Sequence, residues 1–238
     1  MVYEDLQTFT LWGNEQAKIT AVTATRSTVT QLIRSDEAIL YKDYGGGHFD
    51  LAVGIEHDFD FLCDDTDYGG GSGDTTVAVC SWALTNDIND FDALWVGNKH
   101  FIVAALSGDN IVNKYHLTLY EINNAGVVAS DESINLNEDQ QYWVKITILG
   151  NAWKAGIYSS LVLRNAGDGT DGDIDNLSVT LSSAVLTFQY LYSVMSRDNY
   201  TFWITAWQQN YDIHEVIPPT IKPFASNIAT SMRVLDMI

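Results

Sequence analysis

The chain has 238 residues, of which 46% are hydrophobic and 18% charged, so it carries enough apolar material for a packed core. Acidic residues outnumber basic residues 31 to 12, which gives a formal net charge of −19 at pH 7. Such a charge repels phosphate backbones and anionic lipid, and we expect neither a nucleic-acid partner nor a membrane partner. The longest apolar run, residues 101–106, is far shorter than the ~20 residues of a membrane-spanning helix.

The N-terminal residues Met1–Asp5 contain no basic region and no apolar stretch, and they therefore predict no signal peptide. This is typical of a cytoplasmic protein. It also fits a phage virion component, which leaves the cell by lysis and needs no signal.

Short β-branched and aromatic runs recur along the chain, separated by clusters of Gly, Asn, Asp and Ser. Examples, in chain order, are Lys18–Thr23, Lys114–Ile122, Tyr142–Leu149 and Val185–Met195. In the third run, Val144, Ile146 and Ile148 alternate with polar residues, which is the pattern of a strand half-buried in an antiparallel sheet. We therefore predict an all-β domain of roughly a dozen or more strands in two packed sheets.

Three carboxylates alternate along the run Glu56–Phe61. On a strand, Glu56, Asp58 and Asp60 lie on one face and the apolar or aromatic residues on the other. The pattern resembles the Glu-x-Asp-x-Glu motif of retaining β-glucanases, which supplies a nucleophile, a helper and an acid/base. Asp60 stands where that motif has its acid/base glutamate. Because aspartate is one methylene shorter, its carboxyl group would lie further from the substrate, and a misplacement of about 1 Å costs ~100-fold in rate. An acidic, solvent-facing strand is the favoured interpretation, and a glycosidase that uses Glu56 is the alternative.

Two cysteines, Cys63 and Cys80, are too few for a disulfide framework. Each lies in a strand-like run, and the two runs could be antiparallel neighbours across the loop between them. We favour two small buried hydrophobic side chains, with a cross-strand disulfide as the alternative.

Oxygen-bearing side chains alternate with glycines in the run Asp168–Asn176. Because hard Ca²⁺ prefers such oxygen-rich loops, Asp171, Asp173 and Asp175 are candidate ligands, although the spacing does not match an EF-hand. A plain acidic hairpin loop is the favoured interpretation. The acidic, glycine-rich loop Asp64–Asp74 has the same two interpretations.

The run Tyr200–Trp207 places Trp203 and Trp207 on one face of a strand, opposite three other large apolar residues. If that opposite face enters the core, the two indole rings lie on the outer surface. There they can stack on sugar rings or pack against a neighbouring subunit. The alternative is that both faces are covered within one domain. The other tryptophans are assigned to core or loop packing: Trp12, Trp82, Trp95, Trp143 and Trp153.

The prolines of the chain lie near its C-terminus, at Pro218, Pro219 and Pro223, and they predict that residues 213–238 form an extension to the domain. Several apolar residues of this extension need a cover: Ile228, Met232, Leu235 and Ile238. They either fold back or dock on a partner, and we favour docking on a neighbouring subunit.

Eight segments follow one another in a characteristic order: Ile19–Thr25, Ala38–Gly45, Phe49–Asp50, Ile55–Asp60, Gln141–Ile146, Ala155–Ser159, Leu177–Leu181 and Phe188–Ser193. In this order the chain resembles the concanavalin A-like lectin/glucanase superfamily, in the divergent branch found in phage minor structural proteins. The resemblance implies a jelly-roll sandwich of two curved antiparallel sheets over residues 1–212. Enzymes of the superfamily use a second glutamate that this carboxylate strand lacks, and the legume-type metal motif is not found. The resemblance therefore does not imply activity.

The sequence predicts a non-enzymatic virion structural or decoration protein, part of an oligomeric assembly on a virion or another extracellular particle. It would bind neighbouring subunits through its surface and its C-terminal extension. The alternative is a lectin-like carbohydrate-binding module that uses Trp203, Trp207 and the acidic loops, with or without Ca²⁺. A glycosidase is the third hypothesis. No cofactor other than Ca²⁺ is expected.

Overall fold

The computed structural model describes residues 3–30, 37–67, 76–108, 114–123, 126–196 and 203–215. The strands, in chain order, are β1 (Thr10–Trp12), β2 (Ile19–Val22), β3 (Arg26–Val29), β4 (Ile39–Asp43), β5 (Phe49–Asp50), β6 (Ile55–Asp67), β7 (Thr76–Thr85), β8 (Phe101–Gly108), β9 (Lys114–Asn123), β10 (Gly126–Glu132), β11 (Leu136–Asn137), β12 (Gln141–Leu149), β13 (Ala152–Tyr158), β14 (Asp175–Thr180), β15 (Thr187–Phe188), β16 (Tyr190–Ser196) and β17 (Trp203–Glu215). Two short helices accompany them, α1 (Phe91–Val96) and α2 (Leu161–Ala166). In this described part of the chain, no helix has the length and hydropathy to cross a membrane.

Two large antiparallel sheets pack face to face, which confirms the two-layer all-β architecture predicted from the sequence. One sheet has eight strands in the order β1-β4-β16-β7-β8-β9-β10, with β11 paired to β9. The other has seven strands in the order β14-β13-β12-β6-β17-β3-β2. The short strands β5 and β15 pair with each other. Each sheet also contains neighbours that are distant in sequence, such as β4 and β16 in one and β6 and β17 in the other, so the fold depends on long-range pairing.

The core lies between the two sheets and follows the period-two pattern of the strands. On β12, Val144, Ile146 and Ile148 are fully buried in it, as the alternation predicts. On β6, Phe59 and Phe61 enter the same core. The opposite side chains of both strands lie on the outer face of the seven-stranded sheet.

A second apolar cluster covers the outer face of the eight-stranded sheet, where α1 packs. On β8, Ile102 and Leu106 enter the main core, whereas Phe101 and Val103 enter this second cluster beneath Phe91 of α1. Both faces of β8 are thus buried, which explains why the longest apolar run of the sequence falls on this strand.

The two cysteines lie in different sheets. Cys63 belongs to β6 of the seven-stranded sheet, and Cys80 belongs to β7 of the eight-stranded sheet. Both are buried thiols and no disulfide joins them, as favoured from the sequence. The interpretation of their strands as antiparallel neighbours is wrong, because β6 pairs with β12 and β17 in one sheet and β7 pairs with β8 and β16 in the other.

The last described strand, β17, runs to Glu215, three residues into the predicted extension. Ile213 on this strand is partly buried against the core. The candidate docking residues Ile228, Met232, Leu235 and Ile238 lie outside the described residues. Docking by this segment therefore stays a prediction.

Candidate functional site

The outer face of the seven-stranded sheet carries a row of acidic side chains on β6. Glu56, Asp58 and Asp60 point to this face, and the residues between them are buried on the core side, which confirms the predicted alternation. The predicted solvent exposure is wrong for two of the three, since Asp58 and Asp60 are only 2% and 1% exposed. The cause is α2, which connects β13 to β14 and packs against β12 and β13 on this face.

The helix α2 brings Arg164 onto the buried carboxylates. It begins after Ser160, whose hydroxyl accepts a hydrogen bond from the Leu163 amide as an N-cap. Arg164 is fully buried, with Nη1 2.6 Å from Oδ1 of Asp60 and Nε 3.6 Å from Oδ2 of Asp58. The sequence pattern does not predict this role. The one feature of the sequence that could have indicated it is a single basic residue in a short run directly after a serine that can cap a helix.

Asp60 also accepts hydrogen bonds from β17. Asn210 Nδ2 donates to Oδ2 at 2.8 Å and Gln209 Nε2 donates at 3.5 Å. A bulge between Gln209 and Asp212 gives Asn210 a positive φ of 58° at this point of the strand. Burial raises the pKa of Asp60, while the hydrogen bond from Asn210 and the charge of Arg164 oppose the rise. The residue at the acid/base position of the glucanase-like motif is therefore enclosed by protein donors.

Glu56 differs from the other two acids because it is partly exposed. Lys145 on β12 holds it, with Nζ 2.9 Å from Oε1. Glu56 also lines a pocket of about 360 Å³. The other polar residues of the pocket are Thr147, Lys154, Asp168 and Thr170, and its apolar residues include Leu149.

The loop between α2 and β14 supplies Asp168 and Thr170. Oδ1 of Asp168 accepts hydrogen bonds from the Thr170 amide at 2.9 Å and the Thr170 hydroxyl at 2.6 Å. These bonds, with a contribution from the charge of Lys154, lower the pKa of Asp168. No hydrogen bond from another described residue reaches the second oxygen of Asp168 or of Glu56. Each carboxylate therefore keeps an acceptor oxygen that a ligand can use.

The three candidate calcium ligands tie this loop to the sandwich. Asp171 accepts a hydrogen bond from the Tyr158 hydroxyl at 2.7 Å, and Asp173 accepts from the Ser159 amide and hydroxyl at 2.9 and 2.6 Å. Asp175 accepts from a backbone amide just before β11 at 2.7 Å. Among the described residues, no three His, Cys, Asp or Glu side chains form a group that could hold a metal ion. Calcium binding by these aspartates stays a prediction.

Gly172 lets the same loop lie close against β13. A Cβ at this position would be 2.3 Å from the Asp175 carbonyl oxygen and 2.6 Å from the Ile157 amide nitrogen. We expect Gly172→Ala to displace the loop and to cost about 1–3 kcal/mol of unfolding free energy, as measured by chemical denaturation. Gly46→Ala is the control, because its Cβ would meet the nearest atom at 4.0 Å. An equal loss in both variants would show that Gly172 is not sterically constrained.

Trp95 on α1 packs against the second apolar cluster, as predicted, whereas Trp12 on β1 is 38% exposed and its assignment to core or loop packing is wrong. The other five tryptophans divide into three groups. Trp203 and Trp207 belong to β17, but their side chains lie outside the described residues, so their predicted surface role stays untested. Trp82 and Trp153 are fully buried in the core, as predicted. Trp143 is half-buried on the outer face of the seven-stranded sheet, and its assignment to core or loop packing is wrong. The sequence does contain a signal for this position, because Trp143 alternates with Val144, Ile146 and Ile148 and therefore lies on the opposite face of β12.

The two packed antiparallel sheets form a jelly-roll sandwich. Neither a protein-family model nor a curated protein matches the chain. Solved structures do match it. The exoplasmic/lumenal domain of VIP36 in its Ca²⁺/Man3GlcNAc-bound form has a TM-score of 0.53 at 11% identity, covering 90% of this chain and 88% of that chain.

The Ca²⁺/Man-bound form of the same domain has a TM-score of 0.52 at 12% identity, with coverage of 90% and 88%. An alginate lyase from Alteromonas sp.272 has a TM-score of 0.48 at 8% identity, covering 87% of this chain and 94% of that chain. At such identities the likeness of the VIP36 domain shows the fold alone. The phage branch of the superfamily stays a prediction.

Proposed function

We propose that this protein is a carbohydrate-binding module whose site is the pocket between Glu56 and Asp168. The observation that carries the proposal is the pair of carboxylates lining one pocket, each with an oxygen that no other described residue bonds. The hydroxyl groups of a sugar can donate hydrogen bonds to such oxygens. Hydrogen bonds to an ionised acceptor are roughly twice as strong as neutral ones, so two of them suffice to orient a ring.

The size and lining of the pocket support the same function. Its volume of about 360 Å³ lies within the ~300–1,000 Å³ typical of small-ligand sites. The hydroxyls of Thr147 and Thr170 both donate and accept, as a sugar hydroxyl does. Leu149 adds an apolar wall against which the C–H face of a pyranose ring can pack.

The comparison with VIP36 agrees with this proposal. The solved domain carries mannose or a mannose-containing oligosaccharide together with Ca²⁺ on a similar two-sheet fold. For the present chain we propose direct contact between sugar hydroxyls and the two carboxylates, without an intervening ion. Removal of divalent cations by a chelator is then expected to leave binding intact.

We further propose that the protein binds glycans without cleaving them. A retaining glycosidase needs a second carboxyl about 5–5.5 Å from its nucleophile and able to reach the substrate. The residue at that position of the motif, Asp60, is buried and bonded to Arg164 and Asn210. This arrangement supports binding over catalysis by Glu56.

The virion role predicted from the sequence depends in part on residues 216–238, which lie outside the described residues. It stays a prediction, and it is compatible with glycan binding by a protein exposed on a particle. The lectin-like alternative is the function that the described residues support better.

A glycan array followed by titration calorimetry tests the proposal. We expect a manno- or gluco-oligosaccharide to bind, and Glu56→Gln and Asp168→Asn each to weaken binding about 10- to 100-fold. The expected size corresponds to the loss of one charge-assisted hydrogen bond. Asp168 is exposed, so Asp168→Asn removes the acceptor charge without disturbing the core.

Asp139→Asn is the matched control. Asp139 is exposed, does not line the pocket and has a φ of 59°, a conformation that asparagine also adopts readily. It changes the net charge by the same amount as Asp168→Asn and is expected to leave binding unchanged. An array without any bound glycan would exclude this site, and so would a glycan affinity that is the same in both pocket variants as in the wild type.

A further inference from the structure

We infer that the pocket between Glu56 and Asp168 takes uncharged glycans and excludes glycans that carry carboxylate or sulfate groups. The inference rests on the proposed function and adds the chemical class of the ligand to it.

Two carboxylates line the pocket and set the sign of its charge. Glu56 is held in an ion pair with Lys145 at 2.9 Å. Asp168 is exposed, and the hydrogen bonds from Thr170 lower its pKa, so it is ionised at neutral pH. An anionic group on a ligand would meet like charge on both.

Two of the three basic side chains around the pocket are already paired with protein carboxylates. Lys145 is 7% exposed and bound to Glu56, and Arg164 is fully buried against Asp60. Lys154 also lines the pocket, where it is one cation beside the two carboxylates of Glu56 and Asp168. A ligand carboxylate would have to compete with Glu56 for Lys145 and with Asp60 for Arg164, and it would face a pocket lining with more acidic than basic side chains.

Charge beyond the pocket acts in the same direction. Asp58 and Asp60 lie beneath α2, Asp212 is opposite Asp58 on β17, and the whole chain has a net charge of −19. Exposed charges act over about 30 Å in 0.01 M salt but only about 3 Å in 1 M salt. The exclusion of anionic glycans should therefore weaken as salt is added.

A hexose and its uronate differ only at C6, which carries a hydroxymethyl group in one and a carboxylate in the other. Mannotetraose and tetramannuronate with the same β-1,4 linkage are thus a matched pair of probes. Titration calorimetry in about 0.01 M and about 1 M salt compares them at the two screening lengths. We expect tetramannuronate to bind at least about tenfold more weakly in low salt, with a smaller difference in high salt.

A pair of charge-adding variants locates the effect. Leu149→Lys places an ammonium at the rim of the pocket, where the leucine is 57% exposed. Val96→Lys adds the same charge to α1 on the other sheet, at a side chain that is 81% exposed. We expect Leu149→Lys to reduce the discrimination against tetramannuronate at least about threefold, and Val96→Lys to leave it near the wild-type value.

The outcomes separate this inference from the proposed function. Tetramannuronate binding in low salt as tightly as mannotetraose, or more tightly, overturns the inference and leaves glycan binding intact. Equal effects of the two lysine variants overturn the assignment of the discrimination to this pocket. Absence of binding by both probes, with an array free of bound neutral glycans, overturns the proposed function together with the inference.

Discussion

Replacing Arg164 by methionine is expected to cost about 3–5 kcal/mol of unfolding free energy, because the substitution leaves buried carboxylates without their cation. Arg164 is fully buried, and its guanidinium contacts Asp60 at 2.6 Å and Asp58 at 3.6 Å. Chemical denaturation measures the loss. Arg26→Met is the control, since Arg26 is an exposed arginine on β3 that bonds to Gln209, and it is expected to cost less than about 1 kcal/mol.

The loss in Arg164→Met is expected to depend on pH. Burial already raises the pKa of Asp60 above its ordinary value, and Arg164 is one of the groups that oppose the rise. When the pKa of a carboxyl group is higher in the folded than in the unfolded state, the unfolding free energy of the protein falls as pH rises from the unfolded-state pKa to the folded-state pKa. Removing Arg164 widens that interval, so the destabilisation should be smaller near pH 4 than near pH 8.

Adding Asp60→Asn to Arg164→Met tests the same pairing at constant pH. The double variant should recover part of the loss, with an interaction energy of at least about 1 kcal/mol in a double-mutant cycle. A loss in Arg164→Met that is the same at both pH values, combined with additive effects in the cycle, would mean that Arg164 stabilises the fold through packing alone.

Trp82→Phe is expected to destabilise the protein by about 1–3 kcal/mol more than Trp153→Phe. Both indole rings are fully buried, and their centroids are 5.9 Å apart in the same core. Trp82 Nε1 donates a hydrogen bond to His57 Nδ1 at 2.8 Å, whereas Trp153 Nε1 has no hydrogen-bond partner among the described residues. Phenylalanine at position 82 removes a satisfied buried donor and deprives His57 of it, while phenylalanine at 153 removes an unsatisfied one.

The comparison isolates the hydrogen bond because the lost ring volume is similar in both variants, so the cavity cost largely cancels. Thermal and chemical denaturation of the two variants give the difference directly. Trp12→Phe, at a ring that is 38% exposed, is the surface control and should change stability by less than about 0.5 kcal/mol. Equal losses at 82 and 153 would show that the bond to His57 contributes nothing net to stability.

Prediction from the sequence succeeds where a residue's environment is set by its own strand. On β12, the burial of Val144, Ile146 and Ile148 follows from alternation, and so does the common face of Glu56 and Asp60 on β6. The exposure of that face was not predictable in this way. Arg164, the residue that encloses Asp60, lies 104 positions further along the chain and reaches it through a short helix that carries no strong pattern.

The candidate site shows the same division. The acidic character of Glu56 and of the loop around Asp168 is visible in the sequence, but their meeting in one pocket is not. The pocket forms because β12 lies between β6 and β13 in the sheet and the loop after α2 folds back over them. Asp171, a predicted calcium ligand of this loop, also holds the loop in place by accepting a hydrogen bond from the Tyr158 hydroxyl.

The amino-acid sequence by itself determined the all-β class, the inward and outward faces of the clear strands and the acidic nature of the surface. These properties depend on backbone geometry and composition, which each segment carries alone. The tertiary structure decided which strands are neighbours, why the consecutive strands β6 and β7 lie in different sheets, and which acids are buried or open to a ligand. Those outcomes depend on the free energy of closing both sheets around one core, a sum over contacts between distant residues that no local pattern contains.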